Sequence, residues 1–167
     1  MDVISHGLWG GLALGREKKN LFLLSFLFGV FPDVFAFFIV FFQRLFLGFI
    51  TTGPMLDIPE YVHQLYNISH SLVISGIILS ITLFIWGKKA LVVAAWPLHI
   101  LFDIPTHDVG SFPTPFLWPA KTPFFPGIPW NTPWVFFMNW ACIIMLYTAW
   151  YFVEKKDIKS IKDKKMY

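Results

Sequence analysis

Apolar residues run along this chain in long blocks separated by short charged or proline-rich interruptions, instead of alternating with polar residues. Four blocks stand out, at 20–42, 70–87, 90–105 and 134–153. A helix needs roughly 20 apolar residues to cross a hydrocarbon layer of about 30 Å. Backbone placed in lipid must satisfy its own hydrogen bonds, so such blocks are read as helices. A fifth block, 3–15, precedes Arg16-Glu17-Lys18-Lys19 and is too short to cross, though long enough to enter half a bilayer. The pattern predicts an all-α polytopic membrane helical bundle over 1–167. It has four full spans and a short N-terminal half-span or re-entrant helix. No signal peptide is expected, since the first block lacks a basic leader and no small-residue cleavage site follows it.

The interruptions set the orientation. Arg16, Lys18, Lys19, Lys88, Lys89 and the tail lysines Lys155, Lys156, Lys159, Lys162, Lys164 and Lys165 share one side of a four-span arrangement, and only Arg44 and Lys121 fall near the other. Basic residues favour the cytoplasmic side, so the tail 154–167 is expected inside and the loops 48–69 and 106–133 outside. The tail also suits anionic lipid headgroups, or acts simply as a topology anchor. The outer loop 106–133 alternates prolines (Pro113, Pro115, Pro119, Pro123, Pro126, Pro129, Pro133) with Phe112, Phe116, Trp118, Phe124, Phe125 and Trp130. Prolines exclude a regular helix, and the aromatic rings predict a stiff flap at headgroup level, either an ordinary connection or a lid.

Composition agrees with a lipid environment. The chain has 167 residues, 56% hydrophobic and only 14% charged, with 20 Phe and 8 Trp; a soluble domain carries about a quarter charged residues. The single Cys142 lies in an apolar block, which removes disulfides and thiolate metal sites. A net charge of +3 confined to segment ends marks topology and not a nucleic-acid surface, so membrane lipids and no nucleic acid are the expected partners. The expected location is a prokaryotic cell (inner) membrane.

Against this background the polar residues inside the blocks carry the functional signal. His99-x3-Asp103-x3-His107 places three side chains on one helical face. Counting helical rise from the basic ends puts His6 and His99 at roughly 15 Å, Asp33 and Asp103 at roughly 21 Å, and His70 and His107 at roughly 27 Å. All six fall between the middle and the outer face of the hydrocarbon. Ionisable groups there cost several kcal/mol each unless compensated, so they mark a functional site by default. Imidazoles and carboxylates in a poorly hydrated place are ligands for a divalent metal such as zinc.

Each residue has a plainer alternative. His6 suits a membrane interface, and Asp33, after Pro32, suits the N-cap of a broken helix. His70, between Ser69 and Ser71, suits a helix start, and no nucleophile elbow surrounds either serine. His63 lies seven residues earlier and reads as a loop histidine. The His99, Asp103 and His107 set suits a hydrogen-bonded helix–helix network. Pro105 is expected to tilt His107 off the stripe, making it a second-metal ligand or a base beside the ligands. Asn67-Ile68-Ser69 matches a glycosylation acceptor, but it abuts a membrane segment.

Taken together, His6-Gly7 with Gly10-Gly11, Pro32-Asp33, His70-Ser71, His99-x3-Asp103-x2-Thr106-His107 and the following Pro/Phe/Trp loop resemble the LexA-regulated, membrane-bound, metal-dependent hydrolase family. That family is distantly similar to zinc-dependent phospholipase C, an all-helical fold with a zinc cluster. The resemblance implies one zinc site of Asp33, His70, His99 and Asp103. It also implies a second zinc sharing Asp103 with His6, and a third at His107. No later His-x3-Glu is present to complete the third, so one or two ions are expected.

The leading reading is a membrane-embedded, zinc-dependent hydrolase acting on ester or phosphoester bonds of a lipid or lipid-linked substrate. Asp33, Asp103 and His107 are its candidate catalytic groups. The rivals are an ion- or metal-transporting bundle and a scaffold whose metal only clamps helices. A transport path should also carry polar residues toward the inner face, where these blocks hold Leu, Ile, Phe and Val.

Overall fold

The computed structural model describes residues 1–47, 58–110 and 112–164. Among them every regular element is helical: α1 Val3–Leu14, α2 Lys19–Leu47, α3 Glu60–Ser69, α4 Leu72–Trp86, a 3-10 segment Gly87–Ala94, α5 Ala95–Thr106 and α6 Pro133–Lys164. Residues 48–57 of the expected outer loop 48–69 and Lys165 of the tail lie outside the described residues. The rest of that loop is not irregular, because Glu60–Ser69 forms α3. Nor is the tail separate, since α6 continues to Lys164.

Three helical stretches are long and apolar enough to cross a membrane: Lys19–Gln43, Leu72–Thr106 and Pro133–Lys155. The middle one is not straight. Its 35 residues would extend about 50 Å as a single helix. Yet His70 Nε2 and His99 Nε2, 29 residues apart, approach to 3.1 Å. The chain reverses at Gly87, the only described residue with positive φ (58°). A Cβ there would meet nothing within 4 Å, so the backbone conformation, and not space, calls for glycine. Lys88 and Lys89 sit exposed on this turn. Four full spans are therefore not established: α4 has 15 residues and rises about 22 Å, short of the hydrocarbon thickness.

Close backbone approach holds α1 against α2. A Cβ on Gly7 would meet the Phe26 ring at 2.6 Å, one on Gly10 the Ser25 carbonyl at 2.6 Å, and one on Gly29 the His6 carbonyl at 2.5 Å. Small residues on both helices let backbones touch where lipid supplies no hydrophobic drive. Polar bonds then fasten α1 to α6. Trp9 Nε1 donates to Asn139 Oδ1 (2.9 Å), Asn139 Nδ2 donates to Ser5 Oγ (2.8 Å), and Tyr147 Oη donates to the Leu8 carbonyl (2.8 Å). Asp2 caps α1, accepting from Ser5 N at 3.0 Å.

Pro32 lies inside α2 without ending it, so Asp33 is not an N-cap at a helix break. Neighbouring helices supply the support that a proline-interrupted ladder needs in a membrane.

The candidate metal centre

The five groups His6, Asp33, His70, His99 and Asp103 come from four elements and meet at one place. α5 brings His99 and Asp103, with His99 Nε2 3.0 Å from Asp103 Oδ2. The junction of α3 and α4 brings His70, whose Nε2 lies 3.5 Å from Asp103 Oδ2 and 3.5 Å from Asp33 Oδ1. α2 brings Asp33, 3.8 Å from His99 Nε2, and α1 brings His6, stacked on the His99 ring at 3.6 Å. The donor atoms of Asp33, His70, His99 and Asp103 all lie within 4.8 Å of one another. Five of their six separations run from 3.0 to 3.8 Å. Ligands about 2.1 Å from a tetrahedral zinc lie about 3.4 Å apart.

The tautomers strengthen this fit. His99 Nδ1 donates to the Gly29 carbonyl at 2.7 Å, and a carbonyl can only accept. Ser69 Oγ donates to the Tyr66 carbonyl at 3.4 Å and lies 2.9 Å from His70 Nδ1. With both rings as neutral Nδ1–H tautomers, the two Nε2 atoms present lone pairs to each other and to two carboxylates. Asp103 Oδ2 is buried with no hydrogen-bond partner. In that state four lone-pair donors face inward with no proton between them, an arrangement that a cation resolves. The donor set of two imidazoles and two carboxylates fits a divalent metal.

Asp103 divides its oxygens. Oδ2 faces His70 and His99, while Oδ1 accepts from the Met1 amine at 2.6 Å and lies 2.9 Å from His6 Nε2 and 3.3 Å from His107 Nδ1. Neither ring nitrogen of buried His6 has an aligned hydrogen-bond partner despite that proximity. His107 follows α5 in an extended conformation (φ −121°, ψ 139°), off the helical stripe as the proline anticipated. It reaches back through Nδ1 to the Asp103 carbonyl at 3.2 Å. Burial lowers its pKa from the ordinary imidazole value, and the Asp103 charge opposes that in part. His63 stays outside the cluster, stacked on Phe112 at 4.9 Å.

Three further residues contribute, of which the sequence singles out only Ser69, and that one only to set aside a nucleophile role. Tyr66 stacks on His70 at 3.7 Å, and the i, i+4 spacing of the pair was the available signal. Its buried hydroxyl neighbours Thr114, yet neither oxygen has an aligned partner. Burial and the Asp103 charge raise the phenol pKa well above its ordinary value, keeping it a donor. Ser69 orients His70, and its carbonyl accepts from Trp96 Nε1 at 2.6 Å. Gly29 orients His99 through its backbone, which no side-chain pattern announces.

Residues 112–133 run beside this centre and are bonded to it at two places. Leu72 N donates to the Phe116 carbonyl (2.8 Å) and Ser71 Oγ to the Trp118 carbonyl (2.5 Å), while Ile128 N and Trp130 N donate to the Pro105 and Thr106 carbonyls (both 2.9 Å). Gly127 lies against the His107 and Pro105 carbonyls, where a Cβ has no room. Beside this segment an apolar cavity of about 840 Å³ opens onto Asp33, Tyr66, Thr106 and His107.

Comparison with protein-family models, curated proteins and solved structures gives no match to this chain.

Proposed function

We propose that this protein is a membrane-embedded, metal-dependent hydrolase that cleaves an ester or phosphoester bond in a lipid or lipid-linked substrate. It would belong to the LexA-regulated hydrolase family that its motifs resemble. The observation that carries the reading is the convergence of donor atoms from Asp33, His70, His99 and Asp103 within 4.8 Å of one another, beside an apolar cavity. Zinc fits this set best among common ions, through its tolerance of mixed imidazole and carboxylate ligands at tetrahedral spacing. Such an ion supplies Lewis acidity and a hydroxide-like nucleophile from water at neutral pH.

The chain's own residues do the remaining work. His70 and His99, their tautomers held by Ser69 and Gly29, present fixed donors. Asp103 joins them to His6 and His107, the residues that would hold any second ion. Asp33, 14% exposed at the cavity wall, would accept a proton from the attacking water. His107, on the same wall, would carry that proton on to the leaving oxygen. Tyr66 offers its hydroxyl to an oxygen of the substrate. A metal serving only as a clamp would be closed on all sides, whereas Asp33 faces the cavity.

In the membrane, the apolar stretch folded at Gly87 makes two crossings, for four in all, and α1 enters halfway from the cytoplasmic side. The basic turns at 16–19 and 88–89 lie at the opposite helix ends from the cluster, so the site sits toward the outer face of a prokaryotic inner membrane. Elemental analysis of detergent-purified protein tests the metal: near-stoichiometric zinc, lost in His99→Ala and Asp103→Ala, is expected. Hydrolysis of lipid esters and phosphodiesters by the loaded protein, absent in those variants, tests the reaction. Well-folded wild type that takes up no metal after zinc supplementation would end the hydrolase reading.

A further inference from the structure

The cavity beside the centre has a composition that the chemistry of the metal site does not require. Its wall is built by Val34, Phe37, Phe38 and Phe41 of α2 and by Val3 and Ile4 of α1. Several of these continue onto the outside of the bundle, where Ile4 is 57%, Phe38 55% and Phe41 67% exposed. An apolar cavity whose rim continues into exposed apolar side chains opens toward hydrocarbon rather than water. At its inner end stand the polar groups Asp33, Tyr66, Thr106 and His107.

The charges along the wall point to the kind of head. No lysine or arginine lines the cavity among the described residues, whereas Asp2 and Asp33 do. Buried Asp103 adds a third carboxylate immediately behind. The Met1 amine also reaches the wall, but Asp103 Oδ1 takes it up at 2.6 Å. The wall's own charges are these carboxylates and this one amine, a negative balance, so a head carrying several phosphate charges gains no attraction from them in a poorly screened place. Phosphate-rich ligands are ordinarily held by Arg or Lys forks, which this wall lacks. A neutral or zwitterionic head needs no such attraction, and the Tyr66 hydroxyl supplies a donor for an ester oxygen.

We infer that the cavity is a lipid-chain site entered from the membrane between α1 and α2, and that its ligand is an ester lipid with a neutral or zwitterionic head. The inference rests on the hydrolase reading only for what happens at the head; chain binding requires no metal.

The test uses the full chain in phosphatidylcholine nanodiscs and a monoacylglycerol bearing a diazirine in its acyl chain. After irradiation, adducts are mapped by peptide mass spectrometry. Adducts concentrated on residues 3–4, 34–41 and 129–131 are expected, reduced at least fivefold by Ile4→Trp, which fills the cavity from an exposed position. Unlabelled monoolein or lysophosphatidylcholine should compete at least tenfold better than geranylgeranyl diphosphate. Adducts spread evenly over the exposed faces of α4 and α6 would overturn the inference, as would preferential competition by the diphosphate. Should Ile4→Trp fail to fold, the wild-type adduct map decides alone. Labelling that survives in metal-free His99→Ala separates this site from the reaction. Labelled but inactive loaded wild type would sink the hydrolase and leave the lipid site standing.

Discussion

Replacing Asp33 by Asn distinguishes a metal centre from a hydrogen-bonded polar network by the sign of a stability change. In metal-free protein Asp33 has His70 and His99 beside it, and as neutral Nδ1–H tautomers both turn lone pairs toward it. Its donor oxygen and that of Asp103 are no more than 4.8 Å apart, a repulsion of about 3 kcal/mol at an effective dielectric near 20. Asp33 is 14% exposed, and solvent at the cavity mouth screens part of this, leaving about 1–2 kcal/mol for Asn to relieve. Metal-free Asp33→Asn should thus melt about 2–8 °C above metal-free wild type, at 2–4 °C per kcal/mol. A network of protonated histidines predicts the reverse, because Asn would forfeit charge-assisted bonds worth about 1.5–3 kcal/mol. Zinc then supplies the second arm. At a thousandfold excess over Kd it stabilises wild type by about 4 kcal/mol. The Asp33→Asn variant should retain little of that shift. The assay is scanning fluorimetry of detergent-purified protein, first in chelator and then across a zinc titration. A variant that melts lower without metal and keeps the full zinc shift would refute the reasoning.

Other outcomes follow from the packing. Gly29→Ala drives a Cβ into the His6 carbonyl and should cost about 1–3 kcal/mol by overpacking, with zinc loading reduced as α1 is displaced; unchanged melting would mean α1 does not seat there. Gly87→Ala forces alanine to a positive φ and should cost about 1–2 kcal/mol without altering zinc stoichiometry at saturation. Asn139→Ala removes two bonds to α1 and should cost about 1–3 kcal/mol, which chelator-treated melts would register. Zinc loading should fall as pH drops through the ordinary histidine range, about 6.5, since ligand imidazoles must shed their protons; loading constant from pH 8 to 5 would contradict imidazole ligation.

Helical rise is nearly constant, and for that reason the level at which His6, Asp33, His70, His99 and Asp103 meet could be read by counting residues. The middle region reads as two blocks, 70–87 and 90–105, and the chain does reverse between α4 and α5, though residues 87–94 are a 3-10 segment and not part of an even helical count. Lys88 and Lys89 marked the interruption, but the turn itself depends on one backbone angle at Gly87. Asp33 looked like a cap because a proline precedes it; tertiary support carries α2 past Pro32 instead. Gly29 carries no sequence signal of its part, Tyr66 only its spacing from His70, and Ser69 is legible only as a serine beside His70, because the three act through a backbone carbonyl, a ring face and a hydroxyl that acquire meaning only once His70 and His99 are in place. The prolines of 106–133 announce an irregular segment, while its fastening to Pro105, Thr106 and the start of α4 is a matter of long-range bonds.

The bonds from Asn139 and Tyr147 to α1 also set an order of assembly. Among the described helices, the backbone of α6 comes close only to α1, so a late helix is docked on an early one. Ser5, Leu8 and Trp9 receive their partners only after residues 139–147 have been made. Before that, the helix carrying His6 is held by α2, α5 and the 3-10 segment alone, so the full seating of His6 waits on a helix more than a hundred residues further along the chain.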